Sequence, residues 1–245
     1  MRTVEKSVDS QKNSVVLPEN VVAIIPVLNE AGNIETVLEG LARRGIYKSI
    51  VALDPRNTDN TTDILSARGA PFLVAPQSGY DSAVNAAVQF IDSYFPESLH
   101  VLFSDAGGKY DYAIIDDFLC AIAAGADMAL GRRINAAQHL HWHQRFGTQL
   151  VLFPVTIFFK APLHDIGPIR MVRRSLLARL APKPRSFRWP TETLIKALAL
   201  GARVVEVPLT LTSRQGKSKV SGNFLRSVRA GADMLSALQF LFYKE

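Results

Sequence analysis

The sequence predicts an α/β protein with one largely parallel sheet wrapped by helices. Two observations carry this. Short continuous apolar runs alternate with segments of helical period, and polar side chains collect directly after the apolar runs. Residues 21–27 (Val-Val-Ala-Ile-Ile-Pro-Val) are apolar throughout, the pattern of a strand covered on both faces. Ile34, Val37, Leu38 and Leu41 follow at helical spacing and form one buried stripe. The cycle repeats with strand 49–53 and helix 61–67, then strand 71–75 and helix 80–93. Strand 99–104 and helix 112–124 come next, followed by strand 127–131. The second half is less regular: helices are expected over 143–159, 191–200 and 224–243, with a strand over 204–211.

The chain has 245 residues, 48% of them apolar, enough for a sizeable core in one domain. Residues 1–19 are polar and read as a flexible tail, with the folded domain over 20–245. The formal net charge of +6 favours an anionic partner. Cys120 is the only cysteine, so an intrachain disulfide is excluded and a reducing, cytoplasmic setting is expected. The tail lacks the apolar core of a signal peptide. The longest apolar run, 150–159, contains Pro154 and falls well short of the roughly 20 residues that span a bilayer. Positive charges are scattered without interleaved aromatics, which argues against a nucleic-acid partner.

In an open parallel sheet, ligands bind beyond the carboxyl ends of the strands. The polar residues there are Pro26, Asn29 and Glu30, then 54–59, 77–80 and 105–111. Each of these residue types also makes turns and helix caps. Four consecutive strand ends carrying them together point to a site.

Ile25-Pro26-Val27-Leu28-Asn29-Glu30 resembles the opening P-x-x-N-E of family 2 glycosyltransferases. Asp54-Pro55-Arg56-Asn57-Thr58-Asp59-Asn60-Thr61 is similar to that family's D-D-G-S-T-D-G-T loop, with its middle altered. Ser104-Asp105-Ala106-Gly107-Gly108 falls at its D-A-D-G, and Gly131-Arg132-Arg133 at its G-S-R. His164-Asp165-Ile166-Gly167-Pro168-Ile169-Arg170 resembles the D-x-G-P-F-R of the branch containing dolichyl-phosphate mannose and glucose synthases. Trp189-Pro190-Thr191-Glu192, Glu206-Val207-Pro208 and Arg214-Gln215-Gly216-Lys217-Ser218-Lys219 match later motifs of that branch in order. The resemblance covers residues 20–235. It implies a GT-A fold and inverting transfer of a sugar from a UDP- or GDP-sugar to a polyprenyl phosphate or a small-molecule hydroxyl.

The chemistry breaks the bond between an anomeric carbon and a diphosphate, so positive charge must meet the leaving group. By resemblance, Pro26, Asn29, Glu30, Asp54 and Gln77 belong to the nucleotide pocket, while Asp59 either contacts the ligand or braces the next helix. Asp105 takes the place of the first acid of a Mg²⁺- or Mn²⁺-binding pair. The second acid is replaced by Gly107, and a metal-contacting Gln of the resembling synthases by Lys109. Three readings stand open: Lys109 supplies the charge of the cation, Asp105 and Asp111 with the diphosphate hold a metal weakly, or the chain only binds or scaffolds. Arg132, Arg133, Arg214, Ser218 and Lys219 would contact phosphate oxygens. Glu192 and Asp165 are acceptor-side candidates, as base or positioning group.

His139, His141 and His143 alternate, a pattern that on a strand would aim three imidazoles one way towards Zn²⁺, although polar acceptor-side residues fit the same stretch. In the last predicted helix, Leu235, Leu238, Phe240, Leu241 and Phe242 leave only a thin polar stripe. A homo-oligomer partner, a membrane interface reached peripherally, or the protein's own core would each cover it. A nucleotidyltransferase would need a denser Gly-rich loop than Asn29-Glu30-Ala31-Gly32.

Overall fold

The computed structural model describes residues 16–180, 188–212 and 231–242. A 3₁₀ turn, Pro18–Asn20, leads into β1 (Val21–Val27). Next come α1 (Ile34–Ala42), β2 (Lys48–Leu53), α2 (Thr61–Ala67), β3 (Phe72–Val74) and α3 (Tyr80–Tyr94). They are followed by β4 (His100–Phe103), α4 (Ile114–Ala123), β5 (Met128–Arg133), α5 (Ala136–His139) and α6 (Trp142–Phe159). The described chain then forms β6 (Arg170–Arg173), α7 (Arg174–Leu180), α8 (Trp189–Ala199) and β7 (Val204–Leu209).

The seven strands form one sheet in the order β3-β2-β1-β4-β6-β5-β7. Only β6 runs against its neighbours β4 and β5; the others run one way. The alternation of side chains along β1 builds both faces at once. Val22 and Ile24 join the core under α3, α6, α7 and α8, while Val21, Ala23, Ile25 and Val27 join the core under α1, α2 and α4. Every residue of β1 except Pro26 is buried, which explains its unbroken apolar run. Truncating such a side chain, Ile24 for example, would cost about 2–5 kcal/mol. Because β1 pairs with β2 on one side and β4 on the other, chain order reverses there and the carboxyl ends of all three open into one crevice.

Two expectations change. The sequence reading passed over β6, whose apolar centre is only Met171 and Val172, and whose Arg170 is buried at 2% exposure. The C-terminal segment is helical over 231–236 but tightens to a 3₁₀ helix over Ala237–Phe242; residues 224–230 and 243 lie outside the described residues. Its apolar side does not stand open as a whole. Met234, Leu235, Leu238, Phe240 and Leu241 pack on the core beneath α8, and Phe242 remains exposed. The large exposed apolar surface lies on α6. Of the expected N-terminal tail, residues 1–15 lie outside the described residues. Asn20 is tied down where its carbonyl accepts from the Leu99 N–H at 2.9 Å.

His100 starts β4 at 4% exposure. Burial, helped by the charge of Arg173, pushes its pKa down from 6.5 to about 4. The unfolded chain therefore takes up a proton at a higher pH than the folded one, and stability falls as pH drops from 6.5 towards 4. Denaturant titrations should show a loss of about 2–3 kcal/mol over this window. His100→Leu should flatten that slope.

Candidate active site

The loop after β1 and the loop after β2 are stitched together by one residue. Asn29 adopts a left-handed backbone (φ 55°), a conformation Asn tolerates better than most residues. Its N–H donates to Asn57 Oδ1 at 2.6 Å, and its own Oδ1 accepts from the N–H groups of Thr58 (2.6 Å) and Asp59 (3.2 Å). Asp59 accepts from the Ala31 N–H through Oδ2 and from Thr61 and Asn57 through Oδ1, so it braces the loops and the start of α2. Glu30 accepts from Asn33 Nδ2 at 2.8 Å. Pro26 is paired in register with Ala52, and Gln77 lies exposed beyond β3.

Asp54 directly follows β2 and is 5% exposed. Its Oδ1 accepts from Arg56 N and Nε, both at 2.9 Å, and its Oδ2 accepts from an Arg56 Nη and from Gly79 N, both at 2.7 Å. Burial alone would raise its pKa, but these hydrogen bonds outweigh burial and keep it ionised below the usual range. Gly79 donates from a backbone at φ 121°, which a side chain would strain. Arg56 lies within the 54–59 stretch but was given no role of its own; it fills the altered middle of the loop and remains largely exposed.

Asp105 follows β4. Its Oδ1 accepts from Gly107 N at 3.0 Å; its Oδ2 accepts from Tyr110 Oη at 2.5 Å and lies 3.1 Å from Lys109 Nζ. Burial would raise the pKa of Asp105, and the Lys109 charge with the Tyr110, Lys109 and Gly107 hydrogen bonds overcomes it, so the carboxyl stays below its usual range. Burial and Asp105 push the Tyr110 phenol well up, which keeps it a donor. Lys109, Asp111 and Tyr110 are tied to the segment after β7: Thr212 N donates to Lys109 O at 2.7 Å, Asp111 N to Thr210 O at 3.2 Å, and Tyr110 forms a bridge with Leu211. Arg214, Ser218 and Lys219 lie outside the described residues.

This donor set does not fit the divalent cation that the resemblance implies. Mg²⁺ and Mn²⁺ need oxygen ligands. Both oxygens of Asp105 already accept from protein donors, Gly107 offers no side chain, and Asp111 Oδ1 accepts from the Ala113 N–H. Among the described residues no group of three or more His, Cys, Asp or Glu is placed to hold a metal ion. Asp105, expected as a metal ligand, accepts at the centre of a Lys-Tyr cluster. The three alternating histidines do not share a strand either: His139 ends α5, His141 precedes α6 and His143 lies within it, with the rings of the last two stacked at 5.3 Å.

The acceptor-side candidates are engaged as well. Asp165, 4% exposed, accepts from Arg133 Nε at 2.7 Å, an Arg133 Nη at 2.6 Å and the Arg133 N–H at 3.0 Å. Glu206 of β7 accepts from His164 N (2.7 Å), His164 Nδ1 (2.8 Å) and Asp165 N (2.8 Å). Arg170 donates to the carbonyls of Ile166, Gly167 and Pro190 and to Thr193 Oγ1, and burial pushes its pKa down to about 10. Gly167, at φ 73°, lies so close to β5 that a Cβ would meet Leu130 Cβ at 2.8 Å. Glu192 is fully buried, with Arg188 Nε 3.1 Å from one oxygen and Lys196 Nζ 2.8 Å from the other, and Phe240 lies beneath both cations. Glu192, expected on the acceptor side as base or positioning group, is held between these two cations with no exposure to solvent. Arg132 makes no ion pair with a described residue and stands at the carboxyl end of β5, opposite Pro208.

No family model matches the chain. It is 34% identical over 215 residues to an uncharacterised glycosyltransferase of Mycobacterium tuberculosis, covering 87% of this chain and 95% of that protein. It is 25% identical over 210 residues to a dolichyl-phosphate hexose transferase of Haloferax volcanii, covering 82% and 87%. Among solved structures, glucosyl-3-phosphoglycerate synthase of Mycobacterium tuberculosis, in complex with Mn²⁺, UDP-glucose and phosphoglyceric acid, aligns with a TM-score of 0.68 at 17% identity, covering 89% of this chain and 79% of that one. That likeness shows the fold, which is GT-A.

Asp165 gives a direct test of whether this side of the crevice is scaffold. Asp165→Asn strips the buried Arg133 of its counter-charge and should cost about 3 kcal/mol in denaturant unfolding. The double variant Arg133→Leu/Asp165→Leu should recover most of it. A group needed only to accept a proton would leave folding stability unchanged.

Proposed function

The chain belongs to the glycosyltransferases, and we propose that within that family it moves a hexose-type sugar from a UDP- or GDP-sugar to a lipid phosphate, with inversion and with Lys109 serving as the cation at the diphosphate. The observation that carries this is the Lys109–Asp105 pair, 3.1 Å apart at the end of β4 where the resembling synthases bind metal. In the reaction an acceptor oxygen attacks the anomeric carbon as the bond to the diphosphate breaks. The electron pair leaves with the nucleoside diphosphate, whose growing charge needs fixed donors. Lys109 is held there by Asp105 and by the backbone bond to Thr212. Arg132 adds a second cation, and Arg214, Ser218 and Lys219, which follow Thr212 in sequence, are proposed to complete the set. Pro26, Asn29, Glu30, Asp54 and Gln77 are assigned to the nucleotide side. The Asp54–Arg56 pair presents a guanidinium to that pocket.

The state of the acceptor-side carboxylates favours a phosphate acceptor. Both Glu192 and Asp165 are held in ion pairs, so neither is free to take a proton from a hydroxyl. A lipid phosphate arrives already anionic and needs no general base. The similarity to a dolichyl-phosphate hexose transferase supports the same choice.

Single-turnover transfer from radiolabelled UDP- and GDP-hexoses to a short polyprenyl phosphate, against hydroxyl acceptors, tests the reading. Transfer to the phosphate should exceed transfer to the hydroxyls. Lys109→Met should lower kcat by about 100- to 1,000-fold with little change in donor affinity. Gly107→Asp/Lys109→Gln should regain turnover only when Mn²⁺ is added. Donor binding with no turnover on any acceptor would favour a binding or scaffold protein instead, and a Lys109→Met enzyme as fast as the parent would remove the proposed cation.

A further inference from the structure

Helix α6 carries an apolar face left exposed among the described residues. Trp142, Phe146, Leu150, Phe153 and Ile157 are spaced four, four, three and four residues apart, so at 3.6 residues per turn they fall within one arc of about 80°. Trp142 is 72% exposed, Phe146 62%, Phe153 69% and Ile157 61%, while the opposite side, Val151, Leu152 and Val155, is buried in the core. The stripe runs for about 22 Å. Phe158 extends it edge-on to the ring of Phe242, 5.0 Å away and itself exposed. Single exposed apolar residues need no explanation; a continuous aromatic stripe does.

Charge identifies what covers it. No Asp or Glu occurs between Asp127 and Asp165, while this stretch holds Arg132, Arg133, Arg145 and Lys160. Arg145 and Lys160 are exposed on α6 and at its carboxyl end. A second copy of the same face would set these like charges against each other, whereas lipid phosphates complement them. Trp142, at one end of the stripe, is a side chain that favours the water–lipid boundary. Among the described residues no helix is long and apolar enough to cross a membrane. The buried face of α6 packs into the core beside α8 and the C-terminal 3₁₀ helix, so the helix can only lie flat.

We propose that α6 rests on the surface of an anionic bilayer, with the stripe sunk to the acyl boundary and Arg145 and Lys160 against lipid phosphates. Gln149, between Arg145 and the stripe, donates through Nε2 to the His164 carbonyl at 3.2 Å, so the docked face adjoins the loop that carries Asp165. Docking requires no donor or acceptor and stands separately from the transfer reading.

Co-sedimentation of the full chain with vesicles, without nucleotide sugar, decides it. The wild type should pellet with phosphatidylcholine–phosphatidylglycerol vesicles, and about tenfold less with phosphatidylcholine alone or in about 0.5 M salt. Phe146→Ser/Phe153→Ser and Arg145→Glu/Lys160→Glu should each bind about tenfold more weakly with an unchanged circular-dichroism melt. A wild type that stays in the supernatant with every vesicle overturns the proposal. So do variants that pellet like the parent. A wild type that sediments as a dimer, becomes a monomer on Phe146→Ser/Phe153→Ser and ignores vesicles would assign the face to a second copy and overturn it equally.

Discussion

A lysine and a carboxylate 3.1 Å apart at the end of β4 set the terms for the rest of the crevice. A departing diphosphate gathers charge that water solvates well and a protein crevice does not, so the protein must provide fixed compensation. A divalent ion would need several oxygen ligands converging on it. Here the position two residues after Asp105 is glycine, and the carboxylate is turned towards Lys109, Tyr110 and a backbone N–H. The hydrogen-bonded carboxylate keeps the ammonium aimed while remaining ionised itself. In a site that already binds a polyanion, a covalently attached cation needs no recruitment from solution. Its charge is smaller than that of a metal ion, and Arg132 with the basic residues after Thr212 would supply the remainder.

The opposite wall of the crevice is built differently. Asp165 and Glu206 hold the loop before β6 by charge-assisted hydrogen bonds, and Arg170 ties that loop to the start of α8. Such buried pairs add little net stability compared with apolar packing, but breaking one partner is costly, so they fix geometry. Asp165 and Glu192, acceptor-side candidates in the sequence, are both held in ion pairs. An acceptor that carries its own negative charge suits a wall with no free base. The exposed stripe on α6 lies beside the same loop and offers a place for a lipid to come from.

Much of the architecture was legible because parallel strands announce themselves. The unbroken run at 21–27, and the polar residues that follow each such run, pointed to the carboxyl ends of the strands, and Asn29, Asp54 and Asp105 do lie there. Strand β6 escaped because a buried Arg170 stands where a strand pattern would show an apolar residue, and its charge is met by carbonyls up to 20 residues away. Partnerships were equally hidden. Periodicity has no access to contacts such as Asn29 with Asn57, Asp165 with Glu206, or Glu192 with two cations, because they depend on how elements meet. Arg56 and Tyr110 carried a faint signal, since each lies within two to five residues of a strand-end acid, but nearness alone did not assign them. The run at 150–159 is largely apolar around the helix, so the sequence could not show which face of α6 the core would cover.

If Lys109 takes the part of a metal ion, turnover of the wild-type enzyme under strict chelation reads it out. Initial rates of sugar transfer with EDTA present should equal those with Mg²⁺ or Mn²⁺ added. A rate abolished by the chelator and restored by either ion would contradict the account.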